Sequence, residues 1–246
     1  MSSGTPPPAE RLRNSLLAAL PPEDLAWLRP NLRPVELPFD KTLYPADGAL
    51  DAVLFIESGM VSLLATLEGG DQVEVGLAGR EGLVGLPLLF GDNRSVTEAR
   101  VQMEGTALRL GAAALGTAMR ESAAFRSLLL RYALAFQAQV TLTAACNARH
   151  PIEQRLARWL LSARDRADSD EFPITHEFMS MMLGVRRPGV SLAAGVLQKA
   201  GLIRYARGRM QVTDQPGLEA ASCECYHAVR REFTRLLGGS GRAPPG

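Results

Sequence analysis

The chain has 246 residues, 46% hydrophobic and 22% charged, with a net charge of +1, which is ordinary for a soluble globular protein with one large or two modest domains. Three cysteines (Cys146, Cys223 and Cys225) make no disulfide framework at this length, and a reducing compartment fits. No 18-residue apolar run offers a transmembrane helix, and "MSSGTPPPAERLRN" lacks the apolar core of a secretory signal, so the cytoplasm is expected and no membrane partner. Residues 1–146 carry 12 Arg and Lys against 16 Asp and Glu, whereas residues 147–246 carry 15 against 10. A basic half behind an acidic one suggests that only the former meets a polyanion, although chance scatter alone could give this difference.

Residues 1–9 and 238–246 are rich in Gly, Pro and Ser and read as frayed ends. "RLRNSLLAALPPEDLAWLRPNL" reads as two short helical pieces, the second opened by Pro21-Pro22. From Val35 to Leu110 apolar residues alternate in short runs, Val53/Phe55, Val61/Leu63/Ala65/Leu67 and Val73/Val75/Leu77. "ESG", "EGGD", "AGREG" and "FGDN" separate them. Short alternating strands with Gly-containing turns describe an antiparallel barrel or sandwich.

A helical pattern then starts near Glu121, where Phe125, Leu128, Leu129, Tyr132, Ala135, Phe136, Val140, Leu142 and Thr143 recur at three- and four-residue steps. No Gly or Pro interrupts it before Asn147. A helix this long spans over ~30 Å, more than a small barrel needs to cover one face. It either packs wholly on its own barrel or forms a seam with a second copy, and its length favours the seam. Phe125, Leu128, Tyr132, Phe136 and Val140 are the expected interface residues.

His150-Pro151 ends that helix and opens "PIEQRLARWLLSARDR", with proline at a tolerated first position. "MLGVRRPGVSLAAGVL" is apolar at helical spacing, yet holds Gly184 and Pro188-Gly189 in its middle. It resolves as two helices meeting at a corner. Thr175 caps "HEFMSMML", small Ser180 admits a close neighbour, and Gly184 ends the helix in a left-handed conformation. Pro188 opens the second helix, with Val190, Ala193, Ala194 and Leu197 facing inward. This is the packing requirement of a helix-turn-helix. "LIRYARGRMQVTD" folds back around Arg207-Gly208 as a hairpin, making the module a winged helix. A final helix is expected over Gly217–Leu237, burying Leu218, Ala221, Cys225, Val229, Phe233 and Leu236.

Candidate DNA contacts follow. Arg186 and Arg187 stand at the second helix's N-terminus, the end that enters a major groove, and arginine can bond bidentately to guanine or clamp a phosphate. Arg204, Arg207 and Arg209 project from the wing towards phosphates; Thr175, Gly189 and Ser191 complete the set. The plainer alternative is that these arginines solvate a surface. No nucleophile–base constellation is visible among three scattered histidines, so no enzyme and no catalytic residue is expected. Cys223-x-Cys225 alone is too sparse for a metal site: Cys225 faces the apolar stripe and Cys223 another side of the expected helix. No metal ligand is expected. Each of His150, His176 and His227 reads as a surface or helix-end residue, with a haem ligand among them left open.

Barrel, long helix and winged helix, in this order, resemble the cyclic AMP receptor/fumarate-nitrate regulator (Crp/Fnr) family of bacterial transcription factors. The resemblance covers roughly residues 12–215, and "ITHEFMSMMLGVRRPGVSLAAGVLQKAGLI" and "VLFIESGMVSLLATLEGGDQVEVGLAGREGLVG" carry it. It implies an α+β chain: an antiparallel β-roll sensor of the cyclic-nucleotide-binding type (12–120), a dimerisation helix (121–147), and a winged helix-turn-helix with an extra C-terminal helix (148–237). It implies a homodimer on double-stranded DNA, with RNA polymerase a further partner. The roll's effector site would lie at Gly85, Leu86, Arg94 and Ser95. Arg94-Ser95 match the family's phosphate-binding pair, but Leu86 replaces the glutamate that holds the ribose, so the effector is not expected to be cyclic AMP. Pro188 and Leu192 replace the family's base-reading Glu and Arg, so a different half-site is expected. Iron–sulfur members need four cysteines, most near the N-terminus, and this chain has none before Cys146. The competing reading is a sensor or protein-interaction module whose winged helix no longer binds DNA.

Overall fold

The computed structural model describes residues 12–238. A short helix α1 (Ser15–Ala18) and α2 (Pro22–Leu28) lead into the roll. Fully buried Asn14 caps α1 by accepting from the Leu17 amide, while its Nδ2 donates to the carbonyls of Ile56 and Gly82 at 2.8 and 2.7 Å. One polar side chain thus ties the first helix to the barrel.

Eight strands follow: β1 (Leu32–Leu37), β2 (Thr42–Tyr44), β3 (Ala52–Ile56), β4 (Met60–Thr66), β5 (Gln72–Ala78), β6 (Leu83–Val84), β7 (Glu98–Met103) and β8 (Gly105–Gly111). They pair antiparallel in two four-stranded sheets, ordered β1-β8-β3-β6 and β2-β7-β4-β5. Val53, Phe55, Val61, Leu63, Val101 and Leu110 fill the space between them. At the β3–β4 turn Gly59 has φ +81°, and a Cβ there would lie 2.5 Å from the Met103 carbonyl oxygen, so glycine is required.

The expected alternation blurs in β4, where Ser62 and Leu64 are as buried as Val61 and Leu63. The reason is tertiary. Met60, Leu64, Leu77 and Met103, on the sheet's outer face, share one apolar cluster with Trp159, Met182 and Leu183 of the C-terminal module. The roll and the helix-turn-helix are docked.

Helix α3 (Ala112–Glu121) precedes α4 (Ala123–Arg149), whose 27 residues span about 40 Å at 1.5 Å each. Ser122 caps α4 by accepting from the Phe125 amide. Here the expected seam is corrected. Phe125, Leu128, Tyr132 and Phe136 are at most 9% exposed and belong with half-buried Val140 to the roll's own core. Tyr132 donates to the Leu83 carbonyl at 2.9 Å, and Phe136 lies against Gly76. The large aromatics cover the barrel, leaving no surface there for a second chain. The outward face instead carries Ala123, Ser127, Leu130, Leu134, Gln137 and Thr141, all exposed.

The C-terminal module comprises α5 (Ile152–Arg166), β9 (Glu171–Pro173), α6 (His176–Leu183), α7 (Arg187–Lys199), β10 (Ile203–Ala206), β11 (Arg209–Val212), α8 (Gln215–Ala221) and α9 (Cys225–Leu237). The wing has three strands, β10-β11-β9, rather than two. Its tip is a two-residue turn with positive φ at both Arg207 and Gly208, the hand that matches strand twist. The single helix expected over 217–237 is two. The chain leaves the helix at Ser222, whose ψ is 165°, and restarts at Cys225. Helix α9 then packs along α4, with Phe233 edge-on to Tyr132 at 6.3 Å.

Candidate nucleic-acid interface and effector site

The corner forms by local chemistry. The Thr175 hydroxyl accepts from the Phe178 amide at 3.1 Å and caps α6. Gly184, at φ +59°, donates to the Met181 carbonyl, and Val185 donates to that of Ser180 at 3.0 Å, which ends α6 in a Schellman turn. The buried Arg155 guanidinium donates to the Leu183 carbonyl, satisfying another α6 terminus. Arg186 is the cap residue of α7, with Pro188 at its second position.

Arg186 and Arg187 are exposed at the start of α7, where the helix dipole adds positive potential. Arg204 and Arg207 are exposed on the wing beside it. The other expected contacts are partly engaged within the chain. Arg209 pairs with Glu171 on the adjacent strand, and Ser191 Oγ lies 2.9 Å from His176 Nδ1. Burial and the nearby Arg187 charge lower the His176 pKa, favouring neutral imidazole, which stacks on Tyr205 at 4.4 Å. Gly189 is half-buried, and a Cβ there would meet Ile152 Cδ1 at 3.2 Å, so it serves helix packing. Thr175 spends its hydroxyl on the cap. Between Arg187 and Lys199 the outward face of α7 presents Leu192, 72% exposed, and Val196, 53% exposed. Apolar side chains on such a face can contact the thymine methyl group.

Of the expected effector residues, Gly85 and Ser95 both meet the buried Tyr44 phenol, which bonds the Gly85 backbone and the Ser95 side chain. Gly85, at φ +98°, opens the turn on which Leu86 packs into the roll core. Ser95 is buried and its hydroxyl is 3.1 Å from Thr97 Oγ1, whereas Arg94 is exposed. A cavity of about 400 Å³ lies elsewhere, between the roll, α4, α5 and α9, lined among others by Glu74, Arg80, Gln139, Arg158, Asp165 and Arg230. Glu74 is fully buried; desolvation raises its pKa to about 7 against the opposing effects of the Ser62 bond, Arg158, the Trp159 bond and Arg166. Burial likewise raises the Asp165 pKa, and Tyr226 donates to that carboxylate at 3.0 Å.

The long-range packing also corrects the reading of the cysteines. Because the helix breaks at Ser222, Cys223 and Cys225 do not point to opposite sides of one helix. Both meet Cys146 and His150 at the end of α4, and the four ligand-type atoms all lie within 4.8 Å of one another. The Cys223-x-Cys225 half was visible in the sequence, but its meeting with Cys146 and His150 was not.

A β-roll, a long helix and an exposed recognition helix beside a basic wing define a DNA-binding regulator with a sensor-type N-terminal domain. Two family models match accordingly, a cyclic nucleotide-binding domain over residues 34–122 and a Crp-like helix-turn-helix domain over residues 154–221. The chain belongs to the Crp/Fnr family of transcription regulators. Among solved structures it is similar to FixK2 from Bradyrhizobium japonicum (15% identity, 78% of this chain and 98% of that one, TM-score 0.68). It is also similar to the CRP-family regulator TTHB099 from Thermus thermophilus (20% identity, 76% and 96%, TM-score 0.65). The c-di-GMP responsive regulator CLP of Xanthomonas campestris shares the fold as well (14% identity, 77% and 98%, TM-score 0.60). No curated protein sequence matches the chain. Among the described residues no helix is long and apolar enough to cross a membrane.

Proposed function

We propose that the protein works as a cytoplasmic homodimer that regulates transcription, not as an enzyme, with α7 of each chain lying in a DNA major groove. The supporting observation is the free N-terminal end of α7, where Arg186 and Arg187 stand in solvent, as do Arg204 and Arg207 of the wing. Arg187 reads a base, Leu192 and Val196 favour thymine methyls, and the wing arginines neutralise phosphates. Arg209 joins them once released from Glu171.

The dimer forms through the outward face of α4. Ser127, Leu130, Leu134, Gln137 and Thr141 follow the alternating three- and four-residue steps of a coiled-coil seam. Two recognition helices then address half-sites about one DNA turn, ~34 Å, apart. An effector other than cyclic AMP acts at the roll, where Leu86 stands in place of a ribose-binding carboxylate, and RNA polymerase is a further partner of the DNA-bound dimer.

A mobility-shift titration on genomic fragments at two salt concentrations tests this. Counterion release demands that affinity fall steeply with salt. A chain that retards no fragment at the lower salt is a sensor or protein-binding module instead.

A further inference from the structure

The end of α4 and the α8–α9 link build a site that DNA binding does not use. Cys146 lies in the last turn of α4, and His150, the residue that caps the helix, donates its amide to the Cys146 carbonyl at 3.0 Å. Cys223 and Cys225 reach the same point from the other segment. The three thiols are at most 4% exposed and form a cluster of their own, apart from the two apolar cores. Cys146 Sγ lies 3.4 Å from Cys223 Sγ, and Cys225 Sγ lies 3.8 Å from His150 Nδ1.

Both separations are within about 0.4 Å of the edges of a zinc coordination tetrahedron, and all four ligand atoms lie within 4.8 Å of one another. With Zn–S of about 2.3 Å and Zn–N of about 2.0–2.1 Å, tetrahedral angles put neighbouring ligand atoms about 3.6–3.8 Å apart. A four-iron cluster would hold its cysteine sulfurs much farther from one another. A disulfide would occupy two sulfurs at about 2.05 Å and leave the third thiol and the imidazole without a role.

The surroundings suit a metal. His150 turns Nδ1 to the thiols, and its Nε2 lies 3.3 Å from Glu224 Oε1. A carboxylate on the second nitrogen fixes the tautomer and orientation of a ligating histidine. Three thiolates and one divalent ion leave a charge of −1. The buried guanidiniums of Arg155 and Arg158 offset it; both orphan their Nε among the described residues and both sense the Cys146 sulfur electrostatically.

We propose that Cys146, His150, Cys223 and Cys225 bind a single zinc ion in a closed tetrahedral Cys₃His site that fastens the C-terminal helix to the long helix. The site stands at His150-Pro151, where the long helix hands over to the DNA-binding module, so the ion holds α9 against α4 at the joint between sensor and reader.

The test uses the full-length protein purified without chelator. Elemental analysis should give about one zinc per chain, and a mercurial reagent that consumes the thiols should release it into a chromophoric indicator. Cobalt(II) reconstitution should give the intense visible bands of a tetrahedral thiolate site. Cys223→Ser with Cys225→Ser should abolish binding. Glu224→Gln, which leaves all four ligands and the fold in place, should retain the stoichiometry but lose about tenfold or more in zinc affinity; it keeps the test decisive if the cysteine variants do not fold. A protein that takes up neither zinc nor cobalt overturns the proposal. So does one carrying iron with labile sulfide, or a Cys146–Cys223 disulfide as the resident state, or unchanged zinc affinity in Glu224→Gln.

Discussion

Glu74 is a carboxylate at the seam between roll and DNA-binding module, and replacing it by Gln should change how stability depends on pH. Its Oε1 accepts from Trp159 Nε1 of α5 at 2.9 Å, and its Oε2 lies 2.5 Å from Ser62 Oγ, beside Met182 of α6. Burial raises its pKa from 4.5 to about 7, against the pull of Arg158 and Arg166 on α5. Below pH 4.5 folded and unfolded chains are both protonated there, and this group adds no pH dependence. Between 4.5 and 7 the unfolded chain releases the proton while the folded chain keeps it, so stability falls as pH rises; above 7 the deficit is constant. At 1.36 kcal/mol per unit, the shift corresponds to a deficit of about 3 kcal/mol. Gln keeps the shape, accepts from Trp159 and donates to Ser62, yet cannot ionise. Urea unfolding of both proteins at pH 5, 6, 7 and 8 should therefore show Glu74→Gln gaining on the parent up to pH 7 and holding that gain beyond. Parallel profiles across that range would refute an ionising group held neutral at the seam.

Three further outcomes follow from the geometry. Leu134→Arg on the exposed face of α4 should give folded monomers in sedimentation, whereas Phe136→Arg, inside the roll core, should lose the cooperative fold; a folded monomeric Phe136→Arg would restore the aromatic seam. Arg187→Ala should relax base preference at one position of the operator, while Arg207→Ala should weaken all fragments alike and reduce the salt slope by about 1; equal loss on every sequence from Arg187→Ala would return it to the phosphates. Thr175→Ala should cost about 1 kcal/mol in urea melts through the lost α6 cap, and Thr175→Ser much less. Indistinguishable melts for the parent and Thr175→Ala would remove the hydroxyl from the cap's energetics.

The corner at Gly184 and the wing were legible because their chemistry is local. A cap at Thr175, a left-handed glycine and a proline at the next helix start each act within a few residues. The face assignment of α4 was not legible for the opposite reason. Apolar residues lie on two of its sides, and Phe125, Tyr132 and Phe136 look the stronger seam by size alone. Bulk was what the barrel needed, and the exposed side kept the smaller Ser127, Leu130, Leu134 and Thr141. In the same way Ser62 and Glu74 lie on sheet positions that alternation assigns to solvent, and only the docking of α5 and α6 buries them.

The break at Ser222 shows where local rules stop being sufficient. "ASCECY" contains no glycine or proline, and nothing in its propensities ends a helix there. On a continuous helix, residues two apart point about 200° away from each other, so Cys223 and Cys225 could not both face Cys146. Leaving the helix for three residues turns both sulfurs to the same point, and it gives up helical hydrogen bonds to do so. A chain that surrenders helix in order to gather three thiols and an imidazole is satisfying a demand that apolar packing alone does not make.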